Sequence, residues 1–219
     1  MALTSSPKLI KAGLVLVDAE TARVLRIISL QYNSDTLTRK FQTQETGGDG
    51  GGNRVEPTRF KGPAIETFTL EAEIDATDQL EFPDQHPSAG EFGIQPQLAL
   101  LESLVHPSAS QLQAVDSQAS SGTLEIAPML APLVLFVWGK SRIVPIKVTD
   151  FSITEEAFDP TLNPIRAKVS LSLRVLSVDD LGFSSKGGSL FMTYLQTKES
   201  LAGKVQPVTF STLGIGGIN

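Results

Sequence analysis

Two stretches of this chain alternate apolar and polar residues without a break, and they constrain the fold more than any other feature. In the first, Phe68, Leu70, Ala72 and Ile74 alternate with Thr69, Glu71, Glu73 and Asp75; in the second, Val169, Leu171, Leu173 and Val175 alternate with Lys168, Ser170, Ser172 and Arg174. A period of two sends successive side chains to opposite faces of an extended chain, so each stretch predicts a strand with one buried and one wet face. Val144, Ile146 and Val148 repeat the pattern, while LVLFVW, Leu133 to Trp138, is apolar at every position and reads as a strand buried on both faces. Near the start, LIKAGLVLV and VLRIISLQY flank the polar turn DAETAR and predict two more strands.

Helical periodicity is scarcer. Ile94, Leu98, Leu101 and Val105 fall at i, i+4, i+7 and i+11, with Pro96 where a first turn tolerates it, and predict one amphipathic helix. A second helix is expected near Leu190 to Leu201, ahead of a mobile tail, GIGGIN. Residues 107–131, rich in Ser, Gln, Ala and Pro, read as an irregular connection, and GGDGGGN, with five glycines in seven residues, marks residues 44–58 as a mobile loop. The economical architecture is mainly β: an antiparallel barrel or sandwich with one flanking helix. Residues 1–180 would form this domain, and residues 181–219 a C-terminal extension with a short helix.

Composition narrows the function. At 219 residues and 41% hydrophobic the chain is able to bury a sizeable core. A formal charge of -6 supplies no electrostatic footprint for nucleic acid. There is no cysteine, hence no disulfide and no thiolate chemistry. No segment approaches the ~20 apolar residues of a membrane helix, and the run Leu14 to Val17 is too short for a signal-peptide core, which leads us to expect cytoplasmic synthesis without membrane insertion.

No signature of chemistry emerges. The two histidines, His86 and His106, each open a His-Pro-Ser-Ala tetrapeptide without companion ligands and read as loop or helix-end residues. Glu71, Glu73, Asp75 and Asp78 offer oxygen ligands or a carboxylate pair in principle, but a solvated strand face is the simpler reading. The GKS within Trp138-Gly139-Lys140-Ser141 lacks the first glycine of a phosphate loop, since Val134 stands there. We therefore expect no enzyme, metal or cofactor.

One stretch asks for a different explanation. EEAFDPTLNPIR, Glu155 to Arg166, reads as a loop that sets Phe158, Leu162 and Ile165 among two X-Pro bonds. An active-site lid, a buried corner of the same subunit and a docking arm for a neighbouring chain each account for apolar side chains in such a place.

PLVLFVWG followed by SITEEAFDPTLNPIRAKVSLSLRVL resembles the tube-protein family of contractile injection systems, the phage-tail-like machines of bacteria. Leu30-Gln31-Tyr32-Asn33 and FTLEAEIDATD are similar to further pieces of that family, in the same order, over residues 8 to 200. The resemblance implies a small β-barrel or sandwich that forms six-membered rings. It also implies a structural adaptor at the baseplate hub, where the inner tube meets the trimeric spike. Partners would be further copies of the chain, the inner-tube protein and the spike, with baseplate or LysM-type proteins beside them; assembly would take place in the bacterial cytoplasm, in a particle released or tethered. A LysM-like repeat, which many such adaptors carry, is missing from the 44 residues after Val175. On this resemblance the loop becomes a docking arm: Phe158, Leu162 and Ile165 supply buried area, Pro160 and Pro164 stiffen it, and Asp159 and Arg166 set register by charge. A carbohydrate- or peptidoglycan-binding β-sandwich and a hydrolase with converging carboxylates are the competing classes.

Overall fold

The computed structural model describes residues 9–44, 60–120 and 131–218. Most of the glycine-rich loop expected at 44–58 lies outside them. The strands are Gly13–Val17 (β1), Val24–Ser29 (β2), Leu37–Gln42 (β3), Ile65–Asp75 (β4), Leu133–Val137 (β5), Ile143–Phe158 (β6) and Pro164–Val175 (β7). They form one antiparallel sheet in the order β2-β1-β5-β6-β7-β4-β3.

The alternating stretches do what their period predicts. Phe68, Leu70, Ala72 and Ile74 of β4 and Ala167, Val169, Leu171, Leu173 and Val175 of β7 are buried on one face, against Val144 and Ile146 of β6, Phe136 of β5 and Leu14 of β1. The Phe68 and Phe136 rings meet with centroids 5.3 Å apart. In a flat sheet β4 and β5, three strands apart, would stand about 14 Å from each other. The sheet therefore curls around its core, helped by bulges in β6 between Val148 and Asp150 and between Glu155 and Phe158.

Curling does not finish as a barrel. β2 and β3, the outermost strands, do not pair, which corrects the closed-barrel form of the expectation while leaving the mainly β, antiparallel architecture standing. A side chain spans part of the gap instead. Gln31, just past β2, donates to the Asp75 carbonyl at 2.6 Å and accepts from the Asp75 N–H at 3.0 Å, as a strand partner would. Asn33 does the same for the approach to β1, accepting from the Ala12 N–H and donating to the Ile10 carbonyl.

Several helices accompany the sheet, more than the flanking and C-terminal pair expected. Thr77–Leu80 (α1), Pro87–Phe92 (α2) and Gln95–Glu102 (α3) follow β4, with Ile94, Leu98 and Leu101 buried against the core as their spacing predicts. Ala109–Ser120 (α4) occupies much of the segment read as irregular. It buries no residue, so no apolar stripe announced it. Val178–Leu181 (α5) begins with a capping box from Ser177 and Asp180. Lys186–Ala202 (α6) covers the expected C-terminal helix and buries Phe191 and Tyr194. His86 stands at the N-terminus of α2, and His106 just past α3, both helix-end positions.

Candidate assembly surfaces

β6 and β7 run to a five-residue turn, so the stretch read as a loop is mostly strand: Phe158 ends β6, and Pro164, Ile165 and Arg166 open β7. Asp159 organises the turn. Its Oδ1 accepts from the Thr161 N–H, the Thr161 hydroxyl and the Asn163 N–H, each at 2.8 Å, and its Oδ2 accepts from the Asn163 amide at 2.9 Å. Desolvation raises the carboxyl, but these hydrogen bonds outweigh it and hold the pKa at about 2. Leu162, at the tip, takes a left-handed φ of 68°, which the surrounding hydrogen bonds fix in place.

The base of the turn is fastened to its own subunit. Pro164 is buried, its carbonyl accepts from the Ile94 N–H, and the Ile165 carbonyl accepts from the Ala76 N–H. Asn163 donates to the Glu91 carbonyl. Gly93 permits this approach, since its φ is 58° and a Cβ there would collide with the Pro164 carbonyl. Arg166 pairs with Glu156 across the hairpin at 3.2 Å. What the hairpin offers outward is Phe158, 49% exposed, and Leu162, 76% exposed. The seven candidate residues thus divide: Asp159, Pro164, Ile165 and Arg166 shape and anchor the turn, and Phe158 and Leu162 project, with Pro160 between them.

The backbone of β6 is open along the same hairpin. β5 pairs only with Ile143 to Ile146, so from Lys147 to Phe158 β6 has β7 on one side and, among the described residues, no strand on the other. Such an edge carries unpaired N–H and C=O groups that invite another strand. Its bulges make it a shaped edge and not a flat template, which restricts what pairs with it. β2 and β3 are edges too, and Val24, Leu25 and Ile27 of β2 are exposed.

The acidic strand face has a structural explanation. Glu73 stands opposite Lys168 and Asp75 opposite Arg166 in the β4–β7 register, and Glu156 of β6 bonds Lys168 at 3.0 Å and Arg166 at 3.2 Å. Three strands thus form a ladder of alternating charge in which Glu73, Asp75 and Glu156 face cations, while Glu71 stands opposite Ser170. Among the described residues no three His, Asp or Glu side chains gather to hold a metal, and no helix is long and apolar enough to cross a membrane.

A second polar constellation went unrecognised in the sequence. Glu66, 3% exposed, accepts from Arg39 at 2.8 Å, from the Tyr194 hydroxyl at 2.9 Å and from Lys198 at 2.7 Å. Lys198 also lies 4.0 Å from the Tyr194 ring centroid. Burial lowers the Lys198 pKa against the opposing pull of Glu66, and burial beside the Glu66 charge raises that of Tyr194 well above the usual phenol range. The cluster pins the end of α6 to the β3–β4 edge. Its sequence signal was phase: Glu66 occupies the inward register of β4, two residues before Phe68.

The model of the family described as contractile injection system tube protein matches residues 8–181. None of the curated proteins matches the sequence.

Proposed function

Because the chain belongs to the contractile injection system tube protein family, we propose that it is a structural adaptor subunit, six copies of which form a ring joining the inner tube to the trimeric spike at the baseplate. The observation that carries this reading is the outer half of β6, whose backbone is paired on one side only, among the described residues, from Lys147 to Phe158. Head-to-tail pairing of such an edge with a different edge of the next copy is a heterologous contact, and heterologous contacts with the right rotation close into rings.

The hairpin tip supports the same reading. Phe158 and Leu162 are exposed apolar side chains on a turn whose shape Asp159 and Asn163 set in advance. A preformed tip loses little entropy on docking, and each side chain contributes roughly 1.5 to 3 kcal/mol if fully buried. Pro160, Pro164, Ile165 and Arg166 hold the tip at a fixed angle to the sheet. The role is structural, not catalytic, with the inner-tube protein on one side of the ring and the spike on the other.

Imaging of the intact particle with this subunit located in density tests the proposal. A six-fold ring between tube and spike is expected. Three-fold or absent symmetry at its position, or a place elsewhere in the particle, would overturn the adaptor role.

A further inference from the structure

Residues after α6 form an apolar surface that the subunit does not use. Val205, Val208, Phe210, Leu213, Ile215 and Ile218 are all exposed, and no charged residue follows Lys204. Phe210–Leu213 is a 3₁₀ turn, in which residues i and i+3 share a face, so Phe210 (47% exposed) and Leu213 (67% exposed) stand side by side. The Ile215 N–H donates to the Phe210 carbonyl, and Gly214, at φ 71°, ends the turn. This is a small preformed apolar knob, outside the residues that match the family model.

The same chain carries an apolar groove of about 540 Å³, lined by Leu104, Pro132, Leu133, Val148, Leu176 and Leu181 among others, with Lys147 its one charged lining residue. That volume lies within the ~300–1,000 Å³ typical of ligand pockets. The groove sits where β5 stops and β6 begins its unpaired run, at the head of the edge through which a neighbouring copy is proposed to attach. We propose that the knob of one copy docks in the groove of the next, as a strap between neighbouring subunits. This rests on the reading of the chain as ring-forming.

Geometry favours a second copy over the chain's own groove. α6 starts at the groove, where Gly187 lies against Leu181 and Leu133, and runs away from it. At 1.5 Å per residue, Ala202 is about 23 Å further along the axis. Lys198, bonded to Glu66, fixes that end to the β3–β4 edge. The helical hydrogen bonding continues through Val205, which donates to the Ala202 carbonyl. The five residues from there to Phe210 span at most about 18 Å, short of the return to the point where α6 borders the groove. The knob therefore leaves near the β3–β4 edge, away from its own groove and within reach of a neighbour if copies pair head to tail.

Cross-linking tests this with no competing thiol in the chain itself, which has no cysteine. Leu213→Cys places a thiol on the knob and Val148→Cys one at the groove, each in the full-length chain. Particles assembled from both variants together should give a disulfide-linked dimer on oxidation, at least about tenfold above particles carrying either variant alone. Adding Phe210→Ser, on a residue exposed in the subunit, should lower that yield about tenfold. Assembled particles with no cross-link above the single-variant level would overturn the strap, as would a bond within one chain when both cysteines are combined on it. Rings without the cross-link would refute the strap alone. Cross-links in a particle where the subunit lies elsewhere than between tube and spike would refute the adaptor role alone.

Discussion

Phe158→Ala separates an assembly anchor from a corner of the subunit's own core. Phe158 keeps 49% of its surface exposed, whereas Leu171, on the neighbouring strand and paired in register with Phe151, is 1% exposed. Full burial of a large apolar side chain contributes roughly 1.5 to 3 kcal/mol, so the half of Phe158 already covered by its own subunit contributes about 1 kcal/mol. Leu171→Ala removes a fully packed side chain and leaves a cavity, at a cost of about 2 to 5 kcal/mol. Denaturant midpoints of the isolated chain should therefore fall little for Phe158→Ala and steeply for Leu171→Ala, at unchanged slope. In cells, Phe158→Ala should nevertheless abolish particles, because an exposed anchor acts only when a partner covers it. A midpoint drop as large as that of Leu171→Ala would make the tip a core corner. A normal particle count would remove Phe158 from the interface.

Other perturbations probe the devices that hold the sheet and its hairpin. Glu66→Ala strands Arg39, Lys198 and the Tyr194 hydroxyl; because the two cations keep 32% and 31% of their side chains exposed, the cost should sit near the low end for a broken buried pair, about 2 to 3 kcal/mol. Limited proteolysis should then cut within α6, and a variant as resistant and as stable as the parent would show that the cluster does not hold the helix. Gln31→Ala leaves the Asp75 N–H and carbonyl unpaired at the gap in the sheet and should cost about 1 to 3 kcal/mol, which thermal unfolding would read and an unchanged midpoint would contradict. For Asp159 the folded pKa of about 2 lies below the ordinary 3.8, so its contribution is complete above pH 4 and is lost as pH falls from there toward 2. A carboxyl chemical shift titrating near 3.8 would mean that the hydrogen bonds from Thr161 and Asn163 are not formed in solution.

How legible each element was depends on which physical signal it leaves in side chains. β4 and β7 were readable because one face of each is buried and the other wet, and β5 because both faces are buried. β3 was missed: LTRKFQ is an edge strand exposed at all but its first residue, so no alternation records which way it faces. The hairpin was misjudged for a related reason. Past Lys147 the strand β6 has only half-buried and exposed residues, and Pro160 and Pro164 read as loop signals although Pro164 opens β7. Glu66 announced itself by phase, but its partners lie 27, 128 and 132 residues away in sequence, on an unrecognised strand and on α6.

Some of the pieces that carried the family resemblance are connecting devices of the fold, beside the strands β5 and β7. QYN and DATD meet where Gln31 clasps Asp75, and the aspartate and asparagine of FDPTLNP are the two residues that close the hairpin turn on each other. Side-chain amides and carboxylates that replace backbone pairing need particular residues, so they leave a mark in sequence. The open edges leave none. An edge consists of main-chain N–H and C=O groups that every residue except proline possesses in full, and whether they are paired depends on where neighbouring strands stop, as β5 stops at the partner of Ile146. The sheet that seemed from its strands able to close on itself keeps that capacity on β2, β3 and the outer half of β6. Among the described residues, a curled sheet with unpaired edges at both ends is incomplete as a barrel, and those edges, on which the proposed pairing between copies rests, are a feature that residue types could not disclose.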